Sequence, residues 1–163
     1  MYRHVYAFRL DRQGDEVFFR FPKLPSVISA VPKMALQKMS EDEIGDYAHD
    51  AVIGALQAHI AMREDVPSAD NPKLVAADGF VQLSPREAMK LELFKLYKAN
   101  CQSVTDFARH IGKKETAARR LLNLRHHSWE SEIETAIRSF GKRLVHDWDL
   151  EAVPQSPTYS SHL

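Results

Sequence analysis

The sequence predicts an α+β protein, with a β-β-β-α-β segment over residues 1–83 followed by an all-α segment over residues 84–145. Three observations carry this. The first thirty residues alternate apolar and polar types around turn signals, as half-buried strands do. Two Ser-x-x-Glu capping boxes, at Ser40–Glu43 and Ser84–Glu87, each open a run with helical apolar spacing. From Ser84 to about Leu144 the helical period is the only one present.

The elements follow in order. Val5, Ala7 and Phe8 lie among Tyr2, Tyr6 and polar neighbours. Gln13-Gly14-Asp15 signals a turn, and Val17-Phe18-Phe19-Arg20-Phe21 follows, so a β-hairpin is expected. Pro22 and Pro25 end the second strand because proline donates no ladder hydrogen bond. Val27–Val31 is expected to be a third strand. The helix 41–61 carries Ile44, Ala48, Ala51, Val52, Ala55, Leu56 and Ile60 on one stripe, which would cover one face of the sheet. Residues 63–79 are polar with two prolines and are expected to form an exposed connection. Phe80–Leu83 is the last expected strand, to finish the first sheet or to pair with another chain.

Composition narrows the class. With 163 residues, 44% hydrophobic and 27% charged, the chain has the profile of a folded globular protein. No apolar run is long enough to span a membrane, and the first residues lack a signal core. One cysteine, Cys101, excludes an internal disulfide, and the expected compartment is the cytoplasm. Lys and Arg number 22, as do Asp and Glu, yet the balance is uneven. Residues 1–83 carry 9 basic and 12 acidic side chains, residues 84–145 carry 13 and 7, and the tail 146–163 has three acids. A basic middle segment fits a polyanionic partner, or charge scattered over a solvated surface. The residues 154–163, with two prolines and four Ser or Thr, are expected to fray.

Within that segment, residues 103–123 have the residue types a helix-turn-helix requires. Phe107 and Ile111 stand one turn apart and face a core. Ala108 is small, as a close helix crossing demands. Gly112 stands at the turn, where a left-handed backbone is needed. Ala118 and Leu121 form the inner face of the second helix; Glu115, Thr116, Arg119, Arg120 and Asn123 lie opposite. Lys113 departs from the pattern, which usually has an apolar residue after the glycine. A second helix of this type enters the major groove N-terminus first. Thr116, Arg119, Arg120 and Asn123 are then the base-reading candidates, since Arg bridges guanine O6 and N7 and Asn pairs with adenine. Lys113, Lys114 and Arg125 are the phosphate candidates.

The element order and several short motifs resemble the HicB antitoxin family. Val17-Phe18-Phe19-Arg20-Phe21-Pro22-Lys23-Leu24-Pro25 is similar to that family's strand ending in Phe-Pro-Asp-Leu-Pro-Gly, with Lys23 and Ser26 in place of the usual Asp and Gly. The alanine spacing of helix 41–61 and the strand Phe80–Leu83 extend the likeness to about residues 1–145. The resemblance implies a partial ribonuclease-H-like domain without nuclease activity. It implies that residues 1–83 bind a small HicA-type toxin, an mRNA-cleaving ribonuclease, and that the helix-turn-helix represses the chain's own operon. It also implies a homodimer or homotetramer, with no cofactor.

Other chemistries have weaker support. A ribonuclease H centre needs clustered carboxylates around two metal ions. Asp11, Asp15 and Glu16 belong to a turn, and Glu41, Asp42 and Glu43 to a helix start, where acids complement the dipole. His126-His127 lacks companions at metal-ligand spacing. Trp129, Ile133, Ile137, Phe140 and Leu144 have helical spacing and are expected to be core or dimer contacts. No catalytic or metal-binding residue is therefore assigned. The rival is a helix-turn-helix regulator whose N-terminal domain senses a small ligand.

Overall fold

The computed structural model describes residues 4–145. Among them, four antiparallel strands and six helices make a mixed α and β fold. Strand β1 (Val5–Gln13) is long enough to serve two neighbours. Its first half pairs with β4 (Gly79–Gln82), from Val5 opposite Gln82 to Phe8 opposite Gly79. Its second half pairs with β2 (Glu16–Arg20), from Arg9 opposite Arg20 to Gln13 opposite Glu16. The sheet order is β3-β2-β1-β4. The hairpin loop is Gly14-Asp15, and Gly14 takes φ +60°, a conformation that costs glycine little.

The third strand, β3, runs from Ser29 to Pro32 rather than from Val27. The turns Leu24 N–H to Phe21 O and Val27 N–H to Leu24 O hold the chain out of register until Ser29, and Ile28 is left 82% exposed. Pro32 fits because β3 is an edge strand. One helical turn, α1 (Lys33–Leu36), follows; nothing in the apolar spacing announced it.

Helix α2 (Glu41–Met62) begins at the first capping box. Glu43 N–H donates to Ser40 Oγ (3.2 Å) and Ser40 N–H to Glu43 Oε2 (2.7 Å). Its buried stripe of Ala48, Val52, Leu56 and Ile60 joins Tyr6, Phe8, Val17 and Phe19 in one core. The Phe8 ring also explains Gly79: a Cβ there would lie 2.4 Å from Phe8 Cζ.

The stretch between α2 and β4 is more than an exposed connection. It is tied along β1. Asp70 is buried, donates its N–H to Val5 O and accepts the Ala7 N–H on Oδ2 (2.8 Å). Tyr6 Oη donates to Pro67 O, and Arg9 to Ala76 O. A carboxylate buried beside an N–H is a satisfied polar group, so the segment is held rather than loose.

Helices α3 (Pro85–Asn100), α4 (Val104–His110), α5 (Glu115–Leu122) and α6 (Glu130–Arg138) complete the fold. Phe94, Tyr97, Phe107, Leu121 and Ile133 belong to the same buried cluster as the sheet. Helix α6 stops at Arg138, and Gly141 takes φ +69°. Phe140 therefore lies beyond it and stacks on His110 and Phe107. Trp129 is not core: it is the N-cap of α6 and 70% exposed. The tail 146–163 lies outside the described residues. Among the described residues, no helix is long and apolar enough to cross a membrane.

The boundary expected at residue 83 falls between β4 and α3, and α2 reaches across it. Arg63, the C-cap of α2 at φ +54°, donates to Tyr97 Oη (3.1 Å), Cys101 O (2.7 Å) and Gln102 O (2.5 Å), and lies over the Tyr97 ring. It thereby caps α3 with a cation where the helix dipole is negative. Charge-assisted bonds of this kind support an expected loss of about 2–3 kcal/mol for Arg63→Ala. Urea unfolding should show a lower midpoint at unchanged slope.

Glu92 on α3 meets His4 Nε2 (3.3 Å) and Lys95 Nζ (2.9 Å), and these hold its carboxyl down at about 2. Because the folded value is depressed, this stabilisation is full above the ordinary carboxylate range and is lost as pH falls from there through about 2. The side chain is 38% exposed, so solvent screening limits it to about 1 kcal/mol. Urea midpoints measured from pH 5 to 2 should fall less steeply for Glu92→Gln than for the unaltered chain.

Candidate nucleic-acid interface

The basic surface is built on α4 and α5. Ser103 caps α4 through the Asp106 N–H (3.1 Å), and the short seven-residue helix ends where Gly112 takes φ +67°. Lys113 N–H returns to Ala108 O (2.9 Å), which closes the turn, and α5 starts two residues later. Phe107 and Ala118 are fully or nearly buried, and Ile111 is half-buried; the apolar steps of 107–121 thus face the core. Lys113 follows the turn glycine as an exposed residue, so the usual apolar type is not needed there.

The seven expected DNA-contact residues share this region but not one state. Lys113, Lys114, Thr116, Arg119, Arg120, Asn123 and Arg125 are all exposed. Arg119 is bound by its own helix: Nε and Nη2 donate to Glu115 Oε1 at 3.0 and 2.5 Å. Thr105 Oγ1 donates to the same carboxylate, and Arg119 with Thr105 lowers the Glu115 pKa. Arg120 projects from α5 without an ion pair among the described residues. Asn123 lies at the C-cap of α5, not on its outer face, and its Oδ1 accepts the Arg125 N–H (3.0 Å). Arg125 points back to α2, where Nη1 meets Asp50 Oδ1 at 2.5 Å. Lys113, Lys114, Thr116, Arg119 and Arg120 are thus exposed on α5 and the turn before it, while Asn123 and Arg125, also exposed, are engaged by the turn and by Asp50 on α2.

Helix α5 has no side-chain cap at its N-terminus, where Lys114 is the N-cap. Its first amide groups and the adjoining lysines suit an anion there. Behind the helix, a cleft of about 360 Å³ separates α2 from the loop 123–128 and is lined by His49, Arg86, Glu87 and His127 among others. Arg86 Nη1 lies 2.9 Å from His127 Nδ1. Burial, with Lys90 and Arg120 close by, lowers the His126 pKa, which keeps that ring neutral at pH 7. His126 is therefore no fixed cation for phosphate. No group of three or more His, Cys, Asp or Glu placed to hold a metal ion occurs among the described residues.

Lys90 also belongs to this region, though no motif of the sequence singles it out. This residue of α3 is fully buried, and its ammonium donates to Arg120 O (3.0 Å), Asn123 O (2.6 Å) and His126 O (2.7 Å). Burial and the Arg86 guanidinium push its pKa down to about 8, so it is charged at neutral pH. A signal was present: Lys90 precedes Leu93, Phe94 and Tyr97 by three, four and seven residues, which places a lysine on the apolar stripe of α3.

No protein-family model matches the chain. Over 115 residues, 71% of this chain and 78% of the relative, it is 26% identical to a protein named Antitoxin HicB from Pseudomonas fluorescens (strain Pf0-1). A match of that length exceeds the 83 residues that end with the sheet, so it draws on more than that half. The similarity supports a HicB-like antitoxin.

Proposed function

We propose that the chain is an antitoxin that binds and neutralises a small HicA-type mRNA-cleaving toxin and represses its own operon by binding operator DNA. The observation that carries this is the 26% identity to an antitoxin over 71% of the chain. In this account the sheet and α2 form a partial ribonuclease-H-like domain that receives the toxin, and α3–α6 form a helix-turn-helix domain. The boundary at residue 83 marks that division of labour. The chain is not an enzyme; it acts in the cytoplasm as a homodimer or homotetramer, without cofactor.

The surfaces support the two roles. Between β3 and α2 lies a groove of about 580 Å³ beside the exposed Ile28 and Met62. Exposed apolar side chains grouped beside a groove suit a protein partner. Helix α5 and the turn before it offer Arg119, Arg120 and Thr116 for base edges, and Lys113 and Lys114 for phosphates. Arg125 and Asn123 join the contact set on release from Asp50 and from the turn. One such module holds DNA weakly, and a dimer presents two to half-sites about one helical turn apart. A duplex from upstream of the chain's own gene tests the DNA role: the full chain should retard it in a gel, with affinity that falls steeply as salt rises. Salt-independent or absent binding would contradict it.

A further inference from the structure

We propose that Lys90 is the positioning residue of the DNA-binding surface, an internal cationic cap that holds α5 and the loop behind it in place without touching DNA. The proposal rests on the DNA-binding role given above.

The last carbonyls of a helix have no partner within it, and the helix dipole is negative there. Many helices end in a left-handed glycine that turns the chain so that its amides cover these carbonyls. Helix α5 has no such residue; its C-cap is Asn123 at φ −92°, ψ 111°. The ammonium of Lys90 takes that part. A lysine ammonium has three protons, and the carbonyls of Arg120, Asn123 and His126 accept all three within 3.0 Å. One acceptor is in the last turn of α5 and two are in the loop, so a single atom fixes the angle between them.

Arg120 is the point of leverage. Its backbone carbonyl accepts from Lys90 Nζ at 3.0 Å, from Asn123 N–H at 3.2 Å and from Ser128 Oγ at 3.4 Å, while its side chain projects to solvent. Because Lys90 is fully buried on α3, the cap ties the outward arginine to the core. Other bonds extend the arrangement: Leu124 N–H reaches Gln57 Oε1 on α2 (2.8 Å), and His126 N–H reaches Asn123 O. A methionine would fill the same space without the cost of burying a charge, but it would take the charged donor from three carbonyls and leave each with neutral partners alone: Asn123 N–H and Ser128 Oγ on Arg120 O, His126 N–H on Asn123 O and Ser128 N–H on His126 O. What the lysine adds is therefore direction.

The test uses the full chain and a fluorescent duplex from upstream of its own gene. Lys90→Met should weaken binding about ten-fold or more, the scale of one good bidentate base contact. The slope of log affinity against log salt should stay as in the unaltered chain, because no phosphate contact is lost. Lys113→Ala is the control: it should lower that slope by about one. Without DNA, amide exchange in Lys90→Met should quicken at residues 123–128 and stay unchanged in the sheet. Unchanged affinity, or a reduced salt slope in Lys90→Met, would overturn the proposal. If Lys90→Met does not fold, the unaltered chain decides: near pH 6 in the cold, the Lys90 ammonium should give a slowly exchanging ¹⁵N signal, and rapid exchange would overturn it. If the unaltered chain binds no duplex, the DNA role and this positioning role fall together. The exchange data then separate that outcome from a failure of Lys90 alone.

Discussion

Replacing Arg119 and Arg120 together with alanine should abolish operator binding and leave the fold and toxin binding intact. Both side chains are exposed, while the inner face of α5 is Ala118, Leu121 and Leu122, so the double variant should keep its melting temperature. Each arginine that bridges a guanine contributes about 1–3 kcal/mol of discrimination, so losing two costs about 2–6 kcal/mol, roughly 30-fold to 10⁴-fold in affinity. The two are unequal at the start. Arg119 must leave Glu115, at 2.5 Å, before it meets a base, whereas Arg120 has no ion pair to break among the described residues. Arg120→Ala should therefore cost more than Arg119→Ala. Fluorescence anisotropy on one duplex at fixed salt, with both single variants and the double, measures this. A double variant that binds DNA as the parent does would remove α5 from the interface.

The elements legible in the sequence are those whose signals are local. Two capping boxes placed the starts of α2 and α3, Gly14 and its neighbours placed the hairpin, and the Phe107–Leu121 spacing with Gly112 placed the bend between α4 and α5. What escaped was set by contacts distant in the chain. The start of β3 depends on turns at Leu24 and Val27 and on its register with β2, so Ile28 had the composition of a strand without its pairing. Asp70 looked like a loop acid because its partner, the Ala7 N–H, is 63 residues away. Trp129 sat on an apolar helical spacing, yet its position as N-cap turns it to solvent.

The candidate interface residues divide in the same way. The exposed row on α5 could be read from its period, because outward-facing residues need no partner. Arg125 and Asn123 could not be placed so, since one is drawn back by Asp50 on α2 and the other by a turn. Lys90 is not legible in the same way, because a lysine ordinarily faces solvent. Only three carbonyls from a later part of the chain make its burial possible.

The toxin-binding role predicts the other large effect, and it is one of growth. In the antitoxin account, a short reading frame beside this gene encodes a basic ribonuclease with a central histidine. Expressed alone, that product should arrest growth; expressed with this chain, it should not. With the toxin docked on the sheet half, as proposed above, the Arg119→Ala, Arg120→Ala double variant should rescue as fully as the parent and co-purify with the toxin. Co-expression with scoring of growth and of the co-purified complex is the most direct measurement. Rescue and a stable complex with both chains is the predicted result. Continued arrest with no complex would contradict the account, and loss of rescue in the arginine variant alone would show that α5 also holds the toxin.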